Sequence, residues 1–247
     1  MVLPTTQFIP ASVYNGLPFI NDVKDHPDEY KNDLKELKDL LAKFKMPDTI
    51  CIKLIHIHFE LLDGEVMAFR NVSVPPHGDI ETLGPHQLVP DIKLYGCHHF
   101  VNESGELQAF EYMPTEGPDM TLHAAFVSEF CAMVTAKGLQ KTFGLSLRPD
   151  EQEQSGWTEL EFPQKRMTFN VPSEIDLPDV PWGYVVTTKW AGIVDIPTNH
   201  GHHTHHAHMR RIRGEGTPDD DDQYLGATRL EIGTPFQQIY SSVIKAY

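Results

Sequence analysis

The sequence predicts an α+β fold, with a largely antiparallel sheet built from hairpins and covered by about three helices. Three observations carry this reading. Stretches of period-two alternation come in pairs joined by tight turns. Two helices of amphipathic or wholly apolar spacing interrupt them, and no strand–helix–strand repeat marks a parallel sheet.

The first helix is expected from about Asp28 to Phe44. Pro27 suits its first turn, Leu34, Leu37, Leu40, Leu41 and Phe44 fall on one stripe, and Met46-Pro47 stops it. Ile50 to Leu62 alternates as a strand, with Ile55, Ile57, Phe59 and Leu61 on one face and Leu54, His56, His58 and Glu60 on the other. Asp63-Gly64 then turns the chain into a partner strand, Val66 to Val72. A second hairpin runs from Lys93 to Val101, through Glu103-Ser104-Gly105, to Leu107–Tyr112.

The second helix, Thr121 to Lys137, carries Leu122, Phe126, Phe130 and Met133 in one row with Val127, Cys131 and Val134 beside it, and Gly138 closes it. So wide an apolar arc belongs against a sheet. Further strands are expected at Thr142–Leu147, Trp157–Phe162, Arg166–Val171, Tyr184–Trp190, Gly192–Ile196 and Thr228–Ile232, with a last helix from about Pro235. No repeat or linker divides the chain, so residues 1–247 read as a single domain.

Acidic residues outnumber basic ones 35 to 20, for a formal net charge of −15. That balance argues against nucleic acid and anionic membrane surfaces as partners, while drawing cations. The N-terminus lacks a secretory pattern and no apolar run is long enough to span a bilayer. Three cysteines, Cys51, Cys97 and Cys131, make no disulfide framework, which points to a reducing, cytoplasmic location. Neither G-x-G-x-x-G, P-loop nor G-x-S-x-G occurs, so nucleotide-dependent and serine-hydrolase chemistry lose their footing.

Histidine carries the chemical signal. The run His200–His208 holds six of the chain's 14 histidines, and His202 and His205 are its candidate metal ligands. The alternative is a solvated, metal-scavenging loop, which would make the protein a non-enzymatic histidine-rich metal-binding or interaction protein. The metallo-β-lactamase pattern H-x-H-x-D-H fails here, because Thr204 stands where its aspartate belongs and Ala207 does so in the overlapping frame.

His56-Ile57-His58 is the sharper pair, since alternation aims both imidazoles and Glu60 out of one strand face. Two histidines and a carboxylate can hold a divalent metal and leave positions open. Cupin barrels carry such an H-x-H, but Asp63-Gly64 arrives too soon and no second cupin motif follows. Cys97-His98-His99 on the second hairpin offers His98 or His99 as a third ligand if the hairpins are neighbours. His77 and His86 in Pro- and Gly-rich loops, the acidic Asp219–Asp222 and the aromatics Trp157, Trp182, Tyr184 and Trp190 are weaker candidates.

The expected function is therefore a metal-dependent enzyme acting on a small organic substrate. Zn²⁺ is favoured and Fe²⁺ second, with Glu60 as general base or ligand. Lewis-acid or metal-bound-water chemistry fits a lyase, a hydrolase or a ring rearrangement of the cyclopenase kind. A non-haem iron oxygenase using the same two-histidine, one-carboxylate set is the other enzymatic alternative.

Overall fold

The structure is a computed structural model describing residues 8–89, 92–148, 157–162, 165–172, 175–176, 182–191, 206–211, 224–225, 228–229 and 233–246. Three short helices, α1 (Ala11–Tyr14), α2 (Ile20–Val23) and α3 (His26–Glu29), lead into α4 (Lys31–Lys43). The strands β1 (Ile50–Leu54), β2 (Glu65–Ser73), β3 (Asp79–Gln87), β4 (Tyr95–Val101) and β5 (Leu107–Met113) follow. Beyond a single turn of 3₁₀ helix come α5 (Ala124–Ala136), β6 (Phe143–Leu147), β7 (Trp157–Phe162), β8 (Met167–Pro172), β9 (Trp182–Trp190) and β10 (His206–Arg211). A two-stranded ribbon, β11 (Tyr224–Leu225) with β12 (Thr228–Arg229), precedes the last helix, α6 (Pro235–Ala246).

Strands β1 to β10 curl into a closed barrel in the order β1-β6-β4-β5-β2-β3-β8-β7-β10-β9, with β9 returning to β1. Pairing is mostly antiparallel, with β2·β5 and β7·β10 parallel. Consecutive strands form the hairpins β2–β3, β4–β5 and β7–β8. The expected first hairpin is corrected. β1 pairs with β6 and β9, not with β2, and regular strand ends at Leu54 rather than Leu62. Past that point the segment is held by an isolated bridge, Phe19↔Ile57, and by scattered hydrogen bonds, among them Ile55 N–H to the Thr142 carbonyl at 2.9 Å.

Helical spacing puts Leu34, Leu37, Leu40 and Leu41 of α4 on one buried stripe. They pack with Phe126, Phe130 and Val134 of α5 against Ile50, Ile52 and Leu54 of β1 and Phe143, Leu145 and Leu147 of β6. Lys137 clasps the two helices by reaching Asp33 at 2.7 Å and Glu36 at 2.8 Å. Helix α6 covers another wall, where Phe236, Ile239, Tyr240 and Val243 meet Met167, Phe169 and Val171 of β8.

This outer shell fixes what faces inward. Residues alternating with the covered ones on β1, β6, β7 and β8 are Lys53, Ser146, Glu159, Thr168 and Asn170, all buried. The barrel interior is thus polar over much of its wall. An apolar cluster with Ile55, Ile57, Met67, Phe69 and Phe110, joined by Tyr14 and Leu17 from the N-terminal segment, packs beside it.

No helix of the described residues is long and apolar enough to cross a membrane. Cys51, Cys97 and Cys131 are free and buried.

Candidate metal centre

His56 and His58 follow immediately on β1, where the chain leaves the ladder and enters the barrel. Both are buried, at 1% and 5% exposure. Their rings meet edge to face with centroids 4.9 Å apart. Glu159 of β7 is the third member. One of its carboxylate oxygens lies 3.2 Å from His58 Nε2 and the other 4.0 Å from His56 Nε2. Ligand atoms of the three residues all fall within 4.8 Å of one another, and among the described residues this is the one cluster of its kind. Two ligands on a tetrahedral zinc stand roughly 3.3 Å apart for bonds of about 2.0–2.1 Å. The set is therefore near ligating geometry and needs only a small closure at His56.

Two hydrogen bonds orient the group. His56 Nδ1 donates to the carbonyl of Leu54 at 2.9 Å, which fixes the tautomer with the Nε2 lone pair facing Glu159. Thr168 donates its hydroxyl to Glu159 Oε1 at 2.8 Å. A ligating histidine held by a backbone carbonyl and a ligating carboxylate held by a hydroxyl are the usual outer supports of a metal site.

Electrostatics follow from burial. Desolvation, with Lys53 adding to it, pushes His56 down to about 3, so its ring is neutral. Burial works against charge on His58, but the field and hydrogen bond of Glu159 outweigh it and raise that imidazole. Burial also opposes the Glu159 carboxylate, yet the charge and hydrogen bond of His58, with Lys53 acting through space, hold it well below the usual range. The group thus rests as a neutral His56 beside a His58–Glu159 ion pair.

A second polar pair shares the interior. His98 Nδ1 is hydrogen-bonded to Glu111, and both residues are buried. Burial raises Glu111 to about 7, against the pull of Lys53 and His58. Tyr14 has a fully buried hydroxyl with no hydrogen-bond partner. Burial, then the negative fields of Glu111 and Glu159, raise it well above the ordinary phenol value.

His56 and His58 are thus brought together as the sequence suggests. Glu60 is not brought to them: its side chain is exposed, and its backbone carbonyl accepts from Arg166 at 2.6 Å. Glu159 fills the carboxylate position instead. His98 is engaged with Glu111 on its own hairpin, and neither it nor His99 joins the group. His99 is buried alone, pushed down to about 3 by burial.

His202 and His205 lie outside the described residues, as do Gly192–Ile196 and Asp219–Asp222. From His206 the histidine run becomes β10, and the β7·β10 register sets His208 beside Glu159. Of the weaker candidates, His77 bonds Gln238 at 2.8 Å and His86 accepts from Arg70 Nε at 2.9 Å. Trp190 packs on Phe143 in the outer core. The side chains of Trp157, Trp182 and Tyr184 are not among the described ones.

Sequence reasoning missed Glu159, Glu111 and Tyr14. The only local signal was an acid at every second position of Trp157–Phe162, a pattern equally at home on a solvent face. Comparison with protein-family models, with curated proteins and with solved structures finds no match to this chain.

Proposed function

We propose that the protein is a divalent-metal enzyme, with zinc favoured, that acts on a small organic substrate. His56, His58 and Glu159 are the ligands. The observation that carries the reading is the His56 Nδ1–Leu54 bond, which leaves a neutral imidazole lone pair aimed at a second histidine and an oriented carboxylate. A metal bound by three protein groups supplies a Lewis acid and a water of lowered pKa at its open positions, the chemistry of lyases, hydrolases and ring rearrangements.

The chain's own groups complete the site. Glu111, near neutrality at about 7, can hold or give up a proton at working pH, and His98 orients it. The Tyr14 hydroxyl, without a partner and fully buried, is free to donate a hydrogen bond to a substrate oxygen. Thr168 keeps Glu159 in place. Depth favours this reading over a scavenging loop, because a buried, prearranged set gains nothing as a metal buffer. A cytoplasmic location belongs to the same proposal and is supported by the three free cysteines.

Elemental analysis of protein purified without an affinity metal tests the proposal. One divalent ion per chain is expected, lost on His56→Ala and on Glu159→Gln while both variants remain folded. Metal retained by both variants, or absent from the wild type, overturns it. An iron rather than zinc signal would turn the same site toward oxygenase chemistry.

A further inference from the structure

Lys53 is the group in the barrel that the metal centre does not explain. Its side chain points inward from β1 and is 5% exposed, yet among the described residues its ammonium makes no hydrogen bond or ion pair. Glu111 and Glu159 feel its charge only through space. A buried ammonium without a counter-charge in contact is strongly disfavoured. The strand register sharpens the problem, since Lys53 stands directly opposite Lys189 of β9, which is 1% exposed. Directly opposed residues hold their side chains on one face, with Cβ atoms about 4.5–5.5 Å apart. Burial first, and Arg148 and Lys53 among the neighbouring charges, bring Lys189 down to about 7.

The other cation on this side, Arg148, is already taken. Its guanidinium grips both oxygens of Glu81, which Asn170 also bonds at 2.7 Å. Nothing comparable answers Lys53. Ser146 adds a second unanswered donor on the same wall. Its hydroxyl is buried without a partner, and Ser146 pairs in register with Cys51, two positions from Lys53 on the same strand face. Three adjacent strands, β6, β1 and β9, thus present Ser146, Lys53 and Lys189 toward the interior that also holds the metal centre.

We propose that Ser146 and Lys53, with Lys189 opposite, form an anion subsite in which the ammonium of Lys53 and the Ser146 hydroxyl take the carboxylate of the substrate. The substrate class is then a small organic acid, with its carboxylate on the lysine wall and a second oxygen directed to the metal centre. This names the substrate class for the metal-enzyme reading, and rests on that reading for the word substrate. The anion-binding claim itself requires no metal. Carboxylate is the committed source, because one ammonium and one hydroxyl match a flat two-oxygen group, whereas a phosphate would draw on more donors.

Calorimetric titration of the full chain in EDTA at low ionic strength tests it, with malonate, its neutral analogue malonamide and inorganic phosphate as probes. Malonate is expected to bind at one site and malonamide not at all. Lys53→Met should weaken malonate at least tenfold and Ser146→Ala severalfold, while Lys35→Met, on the exposed side of α4, leaves it within twofold. Should Lys53→Met fail to fold, Ser146→Ala, which removes only a hydroxyl, carries the same test. Equal behaviour of malonate and malonamide, undiminished binding by the variants, or phosphate binding more tightly than malonate would each overturn the proposal. Malonate binding by a protein that elemental analysis, before any EDTA treatment, finds without metal would sink the metal reading and leave the subsite standing; metal found as purified with no malonate binding would do the opposite.

Discussion

At the scale of the residue, metal binding depends on which side chains can be charged inside the barrel. His56 is neutral because burial holds it at about 3, whereas His58 is raised by its contact with Glu159. A metal must therefore displace a proton from His58 as it binds. Titrating zinc in buffers of different ionisation enthalpy should show proton release approaching one per ion as pH falls toward the raised His58 value. Affinity should drop over the same range, because protonated imidazole cannot ligate. Binding with no proton release at pH 6 would place the ion elsewhere.

The sequence already makes His56 and His58 legible as a pair, since two histidines one residue apart project alike from extended chain. Glu159 was not legible. It reaches them only because β7 and the segment after β1 enter one interior, and Glu60 looked the better carboxylate from spacing alone. Its exposure follows from the end of β1 at Leu54, beyond which alternation no longer tells where a side chain goes.

At the scale of the element, the three longer helices, α4, α5 and α6, and most strands are readable for physical reasons, whereas the four-residue helices α1, α2 and α3 are not. The leucine stripe of α4, the apolar rows of α5 and the turn at Gly105, with φ of 75°, each leave a local trace. Asp63-Gly64 predicts a turn joining β1 to β2, but it lies just before β2 and β1 pairs elsewhere. Period-two alternation fixes a strand's faces but not its neighbour.

The β4–β6 contact depends on such a distant fit. A Cβ added to Gly144 would stand 1.9 Å from the carbonyl oxygen of His99. Gly144→Ala forces the two strands apart and is expected to cost about 1–3 kcal/mol. Urea unfolding should show this as a lower midpoint with an unchanged slope. A variant as stable as the wild type would mean that the close approach of β4 and β6 is wrong.

At the scale of the whole molecule, much of the barrel's inner wall is polar, while the outer faces of β1, β6 and β8 are apolar and lie under helices. The alternation of Glu159 and Glu161 fits a solvent face equally well from sequence, because period two carries no information about which face is wet. Closure of the sheet reverses that meaning.

Polar burial also shapes the pH dependence of stability. His99 sits at about 3 against an ordinary 6.5, so the unfolded chain takes up a proton that the folded one refuses as pH falls below 6.5. Its contribution is intact above 6.5 and is lost progressively down to about 3. Glu111, at about 7 against 4.5, acts in the opposite sense and loses stability as pH rises between those values. Comparison with His99→Gln isolates the histidine. Between pH 6 and 4 the wild type should lose about 1.4 kcal/mol per pH unit more than the variant. Parallel stability curves would mean that His99 is not buried in the neutral form.

The central claim is that one divalent ion sits among His56, His58 and Glu159. Anomalous diffraction at the zinc edge, on crystals of protein purified without an affinity metal, tests it most directly. A single strong peak is expected about 2.0–2.1 Å from His56 Nε2, with His58 and Glu159 completing the protein ligands. A peak within His200–His208 instead, or a crystal with none and Glu159 hydrogen-bonded only to His58 and Thr168, would contradict it.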